Sequence, residues 1–458
     1  MNARLALEAS AARLVGRLSR AAGRGGGTTL PGKLVWKLDP GALDALAARL
    51  PQGVALVSAT NGKTTTTAMA SSILSGSRRL AWNHSGANLA SGITSTLLAA
   101  DGAELGLLEV DEFVLPEVMR RTSPRVVCLG NLFRDQLDRY GELEHVAERW
   151  REAVAALASG ATLVANADDP PVAALAEGRE RTLLFGVDDP RRARGGLQHA
   201  ADSKYCVGCG HPYVYDAAYV GHLGDYRCEA CGHARPALDL AAAEIEPQGL
   251  DGVSFTLHAP HGSARVRLAV PGLYNVYNAL AAASLSLALG ATLDEVAAGL
   301  ERFRAAFGRF ERFTAGERGV LLLLIKNPAG ANEALRTLEE GGVPPTLVVA
   351  LNDRIADGRD VSWIWDVDFE PVLERAGRIV VSGERAAELA LRFTYAGFPR
   401  DRLELVHDLE HALDRGLELT PAGGELAVLP TYTAMLELRA IATARGLTRP
   451  YWEGVAAP

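Results

Sequence analysis

The chain has 458 residues, enough for two or three domains. Apolar residues make up 48% and charged residues 22%, a globular balance, and the formal net charge of -8 argues against binding nucleic acid through bulk positive charge. No apolar run is long enough to span a bilayer and no signal peptide is legible, while five cysteines, four of them in two C-x-x-C pairs, suit a reducing cytoplasm and a metal site better than a disulfide scaffold.

Residues 1–44 form a basic N-terminal segment. Its first 37 residues carry Arg4, Arg13, Arg17, Arg20, Arg24, Lys33 and Lys37 against a single acid, Glu8. Leu5, Leu14, Val15 and Leu18 would line one helix face, and Gly23 with Gly25 to Gly27 would end that helix. Such a helix either touches the anionic inner face of the cytoplasmic membrane or packs on its own domain with a solvated basic face.

The buried-strand run Val54 to Ser58 leads into Ala59-Thr60-Asn61-Gly62-Lys63-Thr64-Thr65, where a helix opens. A strand, a glycine-lysine-threonine turn and a helix N-terminus make a triphosphate cradle: loop N–H groups and the helix dipole face phosphate oxygens. Lys63 would reach the β/γ-phosphates and the Thr64 hydroxyl would ligate Mg²⁺. The generic P-loop has a glycine five positions before Gly62, where this chain has Val57.

Leu105 to Val110, Arg125 to Leu129 and Thr162 to Ala165 read as further buried strands. Each ends in polar residues, and an open parallel sheet binds ligands beyond the carboxyl ends of its strands. Glu109 is placed where an NTPase holds Mg²⁺, with Asp111 as a neighbouring candidate. His84 and Gly86 lie in a polar loop before another helix. Cys128 falls inside a strand and reads as core.

Cys206-Val207-Gly208-Cys209 and Cys228-Glu229-Ala230-Cys231 present four thiolates from two tight knuckles, inside an insert at 200–235. That spacing completes a tetrahedron around Zn²⁺, and four protein ligands make the metal structural. Residues 253–270 alternate as a hairpin. Tyr274 to Leu289 is an Ala/Leu-rich buried helix carrying Asn275 and Asn278 near its start. From about 313 a second strand–helix series begins, with strands at Val320 to Ile325, Thr346 to Leu351, Arg378 to Val381, Leu403 to Val406 and Leu426 to Leu429. The expected class is α/β: a P-loop central domain over 45–312 with its zinc-ribbon insert, then a smaller Rossmann-like α/β domain over 313–458. The charged loop Arg354 to Asp360, followed by Val361-Ser362-Trp363-Ile364-Trp365, is either a binding loop or a helix cap over packed tryptophans.

The P-loop, Glu109-Val110-Asp111-Glu112, the Asn131 to Arg139 stretch, the Asn275/Asn278 helix and Gly308-Arg309 together resemble the Mur ligase family, the ATP-dependent amide-bond ligases of peptidoglycan synthesis. The resemblance implies that Asn278 contacts adenine, Arg309 the phosphates, and Thr64 with Glu109 the Mg²⁺. Three departures stand out. The family's N-terminal UDP-substrate domain is missing, Gln136 replaces a histidine, and Ile325-Lys326-Asn327-Pro328 replaces an Asp-Tyr-Ala-His-Asn-Pro run. With the four-cysteine insert and the Asp357 to Trp363 loop, they resemble one branch of the family, the synthetase subunits of lipid II isoglutaminyl synthase. That branch implies a glutaminase partner, GatD, and lipid II as substrate. It also implies ATP-driven amidation of the D-glutamate α-carboxyl to D-isoglutamine through an acyl phosphate. Lys63 and Glu109 would serve the phosphoryl transfer, and Asp360 would orient the partner's catalytic histidine across the interface. The alternatives are a free-standing Mur or folylpolyglutamate-type amino-acid ligase and a zinc-ribbon nucleic-acid switch. The few Lys and Arg of residues 200–235 speak against the second.

Overall fold

Short β-branched and aliphatic runs set the architecture. The computed structural model describes residues 30–39, 41–84, 86–135, 143–199, 201–304 and 310–448. The basic segment up to residue 29, Gln136 and Arg309 therefore lie outside the described residues. Seventeen strands are described: β1 (Val54–Ser58), β2 (Leu80–Trp82), β3 (Leu105–Glu109), β4 (Val126–Leu129), β5 (Thr162–Asn166), β6 (Thr182–Val187), β7 (Val214–Val220), β8 (Leu223–Arg227), β9 (Leu240–Pro247), β10 (Val253–Ala259), β11 (Gly262–Leu268), β12 (Phe310–Ala315), β13 (Arg318–Leu323), β14 (Thr346–Ala350), β15 (Arg378–Ser382), β16 (Leu403–Leu405) and β17 (Glu425–Pro430).

Nine of them form one sheet in the order β11-β10-β9-β6-β5-β4-β1-β3-β2. β1 to β6 run parallel, and β9 to β11 close the far edge as an antiparallel meander. β1, β3 and β4 are buried along their whole length. Helices covering both faces explain this, because a parallel strand then has no solvent side. Along β1, Ala55 and Val57 enter the cluster formed with Met69, Ile73 and Leu280. Val54 and Leu56 enter the opposite cluster with Leu43, Ile93 and Trp150. The side-chain period of two therefore builds two cores from one strand. Cys128 is fully buried in the first core, and burial alone pushes its thiol far above the ordinary range, as expected of a packing residue.

β1 lies between β3 and β4, so the chain winds outward from it in both directions. That is the switch point where an open parallel sheet leaves a crevice at its carboxyl edge. The loops after β1, β3, β4 and β5 all gather there.

A second sheet of six strands has the order β12-β13-β17-β14-β15-β16, parallel except for β12. Its strands also divide their side chains between two cores, Leu347 and Val349 facing one and Val348 and Ala350 the other. β12 starts at Phe310 and pairs with β13, so Phe310 to Arg312 hydrogen-bond within this sheet. β7 and β8 form a separate antiparallel hairpin that carries the cysteine knuckles. Among the described residues no helix is long and apolar enough to cross a membrane.

Candidate active site at the carboxyl edge of the first sheet

The loop after β1 turns sharply at Gly62, whose φ of +89° is left-handed. A side chain there would be strained, and its Cβ would also lie 2.0 Å from Asn278 Oδ1. Gly62 thus lets the helix Lys63–Leu74 start directly beneath Asn278 on the helix Leu273–Ala288. Thr66 Oγ1 donates to Asn278 Oδ1 at 3.4 Å, and Asn278 Nδ2 donates to Asn275 Oδ1 at 3.1 Å. The two asparagines expected on this helix therefore form one amide network against the P-loop.

The loop is held from the β4 side by Asn131. Thr60 N donates to Asn131 O and Asn61 N to Asn131 Oδ1, both at 2.9 Å, while Asn131 Nδ2 donates to Asn61 O at 3.0 Å. Phe133 N donates to Thr60 Oγ1 at 3.0 Å. Thr65 is buried in the first turn of the helix.

Lys63 is buried, and its ammonium donates to the carbonyls of Ala59 and Thr60 and to Glu112 Oε2 at 2.7 Å. Burial lowers the pKa of this lysine, but Glu112, Glu109 and Asp111 outweigh it and leave the group above its ordinary value. Burial likewise raises Glu112, and Lys63 with Lys326 outweigh that and hold it low. Both partners stay charged at neutral pH. Glu112 as the seat of the P-loop lysine was not legible from its position in a run of acids.

Glu109 ends β3 with its carboxylate buried. Asn88 Nδ2 donates to Oε1 at 3.0 Å, whereas Oε2 is buried without a hydrogen-bond partner. Asn83 fixes the strand end by accepting from Glu109 N and donating to Glu109 O, both at 2.8 Å. A Cβ built on Gly86 would lie 3.6 Å from Thr64 Oγ1 and 3.8 Å from Glu109 Oε2. The expected magnesium pair therefore borders the space beside Gly86, whose φ of +69° favours glycine. An orphaned carboxylate oxygen facing a threonine hydroxyl is a donor set of hard oxygens, which fits Mg²⁺. Asp111 is buried nearby and accepts from Phe113 N at 3.1 Å. His84, in the loop after β2 that carries Gly86, is exposed with its ring edge-on to Trp82.

The second sheet reaches into this site through the end of β13. Asn61 Nδ2 donates to Asn327 Oδ1 at 3.2 Å and Asn327 Nδ2 donates back to Asn61 Oδ1 at 3.0 Å. Asn327 also caps the helix Pro328–Gly341 by accepting from Gly330 N. Lys326 forms an ion pair with Asp135, whose pKa is raised by burial against the pull of Lys326. A cavity opens between these parts, lined by Asn61, Gly62, Thr65, Asn278, Tyr274 and Glu333 among others.

The four cysteines converge. Their Sγ atoms lie within 4.8 Å of one another, with Cys206–Cys231 and Cys209–Cys228 at 3.5 Å. A tetrahedron with Zn–S of about 2.3 Å has an edge of about 3.8 Å, so the cage fits zinc. Burial raises the Cys206 thiol, but N–H groups of Gly208 and Cys209 and the Tyr213 hydroxyl outweigh it and lower it to about 6. Tyr213 and Tyr226 pack with Cys206 and Cys228 as a local core. The hairpin is tied to the large sheet by Arg235, which donates to Asp168 Oδ1 at 3.1 Å, and the same carboxylate accepts from the Tyr277 hydroxyl of the helix Leu273–Ala288 at 2.6 Å.

Asp360 lies away from this cluster, in the loop after β14. It is exposed, and its Oδ1 accepts from Ser362 N at 2.9 Å, which holds the carboxyl below the ordinary range together with the Ser362 hydroxyl. The anchor of the loop is Asp357. It is buried, and its carboxylate accepts from Thr433 N at 2.8 Å and from the Thr433 hydroxyl at 2.5 Å. The cap reading is met in part: Asp360 Oδ1 accepts from Ser362 N at the start of the turn Ser362–Asp366, whose N-cap position is Val361, and the acid is exposed to solvent. Trp365, 48% exposed, and Tyr395, 75% exposed, stand edge to face beside it.

A strand–P-loop–helix at a switch point, a strand-end carboxylate and a second α/β sheet docked on the loop define an ATPase-type ligase of the Mur class. The family model of the Mur ligase middle domain matches residues 57–207, and that of the MurT ligase C-terminal domain matches residues 324–435. Solved structures with this fold include MurF from Acinetobacter baumannii (TM-score 0.66, 21% identity, 90% of this chain and 81% of that one). MurF from Thermotoga maritima in complex with ADP is another (TM-score 0.64, 16% identity, 89% and 84%). Over 436 residues the chain is 33% identical to the lipid II isoglutaminyl synthase (glutamine-hydrolyzing) subunit MurT of Streptococcus pneumoniae, covering 93% of this chain and 94% of that protein. The MurT subunit of Staphylococcus aureus is also 33% identical, over 84% and 86%. The chain belongs to the MurT family of Mur-type ligases.

Proposed function

We propose that this chain is the synthetase subunit of a lipid II isoglutaminyl synthase and amidates the α-carboxyl of D-glutamate in the lipid II stem peptide. The observation that carries the reading is the assembly of Lys63, Thr64 and the unpartnered Glu109 Oε2 around the P-loop of a MurT-family chain. A carboxylate is a poor acylating agent. Its oxygen attacks the γ-phosphorus of ATP, the bond to the ADP oxygen breaks, and an acyl phosphate results. Ammonia then adds to the acyl carbon, inorganic phosphate leaves, and the amide remains after proton loss. Phosphoryl transfer spreads negative charge over oxygens, so the protein contributes positioning and positive potential.

Lys63 would supply that potential by exchanging Glu112 for the β/γ-phosphates. Thr60, Asn61, Gly62 and Thr65 shape the cradle, Asn278 faces the base, and Arg309 completes the phosphate contacts. Thr64 and Glu109 would hold Mg²⁺, which when bound neutralises phosphate charge. Cys206, Cys209, Cys228 and Cys231 would hold a structural Zn²⁺.

The ammonia comes from a glutaminase partner, GatD. Cys128 is sealed in a core and the four other cysteines face one another, so none has the setting of a glutaminase nucleophile. Asp360, exposed and ionised on a loop pinned from behind by Asp357, would orient the partner's catalytic histidine as the third member of a triad. The basic segment would bring the subunit to the inner membrane surface where lipid II resides. The test is reconstitution with lipid II, ATP, Mg²⁺, glutamine and the candidate glutaminase, read by mass spectrometry. A product lighter by about 1 Da, from OH replaced by NH₂, that needs both proteins supports the reading. A product heavier by an amino-acid residue, made by this chain alone, replaces it with a free-standing ligase.

A further inference from the structure

The cavity beside the P-loop contains a buried acid that the chemistry above leaves idle. Glu333 sits in the second turn of the helix Pro328–Gly341, and its side chain is 3% exposed. Oε1 accepts a long hydrogen bond from Arg194 Nη2 at 3.4 Å, while Oε2 is buried with no hydrogen-bond partner. A buried carboxylate oxygen without a donor is costly, and a protein that keeps one has a use for it. Glu333 lines the same cavity as Asn61, Gly62, Thr65 and Asn278, with Oε2 buried at its wall. The walls between them include the Tyr274 ring and Leu323. The lining is mostly apolar and aromatic, with the amides of Asn61, Asn131 and Asn278 and the Glu333 carboxylate among its polar groups, which suits a purine ring bearing an exocyclic amino group.

We propose that Glu333 reads the 6-amino group of the nucleotide base through Oε2 and is a specificity-determining residue for adenine. The inference rests on the ATP reading given above. At the 6-position guanine carries a carbonyl oxygen, which would face Oε2 acceptor to acceptor. A purine without the amino group would leave Oε2 unpaired. Burial raises this carboxyl, the guanidinium groups of Arg336 and Arg194 oppose that, and an amino-group donor acts in the same direction as the arginines.

The experiment is equilibrium binding of two nucleotides to the full chain with Mg²⁺: ATP and purine riboside 5′-triphosphate, which lacks only the 6-amino group. The wild type should prefer ATP by roughly 10- to 100-fold, the range of a hydrogen bond to a charged group. Glu333→Leu should bring the two affinities within a few-fold of each other by weakening ATP. Glu333→Gln keeps an acceptor oxygen and should keep most of the preference. A wild-type preference near one overturns the proposal whether or not the variants fold. An unchanged preference in Glu333→Leu also overturns it. If ATP and its analogue both fail to bind the wild type, the ATP reading fails first and this inference falls with it.

Discussion

The P-loop site and the Asp360 loop both stand at carboxyl edges of parallel sheets, yet they are built in opposite ways. Around the P-loop nearly every polar group is answered from within the chain: Asn131 grips the loop, Asn278 covers Gly62, Asn327 meets Asn61 from the second sheet, and Glu112 holds Lys63. Around Asp360 the loop is fixed from behind, by Asp357 on Thr433 and by Arg354 on Glu384 and Glu437, and the acid itself is exposed to solvent. A site whose groups must move a phosphoryl group is preorganised internally, since positioning is most of the catalysis. A carboxylate that serves a neighbouring protein has to be presented rather than enclosed. The contrast fits the proposal that the ATP chemistry belongs to this chain and the ammonia chemistry to a complex.

The largest expected effect breaks the enclosed half. Lys63→Ala should reduce lipid II amidation by at least about 10²- to 10³-fold with either glutamine or free ammonia, the scale of losing one preorganised charge at the reacting phosphate. It also strands Glu112, so thermal unfolding should show a loss of stability on the order of 3 kcal/mol. Breaking the cysteine cage comes next. Cys206→Ser with Cys228→Ser should take bound zinc from one per chain to none by elemental analysis, with hydrogen exchange speeding up first in β7 and β8. Asp357→Ala sharpens the exposed half: it leaves the half-buried Thr433 N–H without its acceptor, at about 1 kcal/mol, and loosens the Asp360 loop. Glutamine-dependent activity should fall several-fold while ammonia-dependent activity is retained, in a two-donor assay. The smallest effect is at the seam between sheets. Asn327→Ala removes the reciprocal amide pair, and ATP binding by calorimetry should weaken by about 2- to 3-fold, the low end of a neutral hydrogen bond.

What was legible in the sequence follows the same division. Strand β1, the glycine-lysine-threonine turn and the helix after it are local signals, because period and turn chemistry act over a few residues. The cysteine cage was equally legible, since C-x-x-C spacing fixes each knuckle before the pairs meet. The strands of the second sheet were readable as apolar runs, but β12 was not, because Phe310–Ala315 alternates with charged residues as an edge strand does. Contacts made across 200 or more residues left no pattern. Nothing near Asn327 announces Asn61, and nothing near Glu333 announces the cavity it lines. Lys326 was noticed only as a departure from a motif, and its ion pair with Asp135 is a property of the docked sheets. Glu112 was the hardest to single out, one acid among neighbours until β3 aimed it at Lys63.

The direct measurement of the central claim is Asp360→Ala in the reconstituted complex, assayed for lipid II amidation with glutamine and, separately, with saturating ammonium. A triad orienter outside the ATP site predicts a loss of roughly 10²- to 10⁴-fold with glutamine and an unchanged rate with ammonium. Equal losses with both donors would contradict the division of labour and place Asp360 in the folding or the ligase chemistry of this chain.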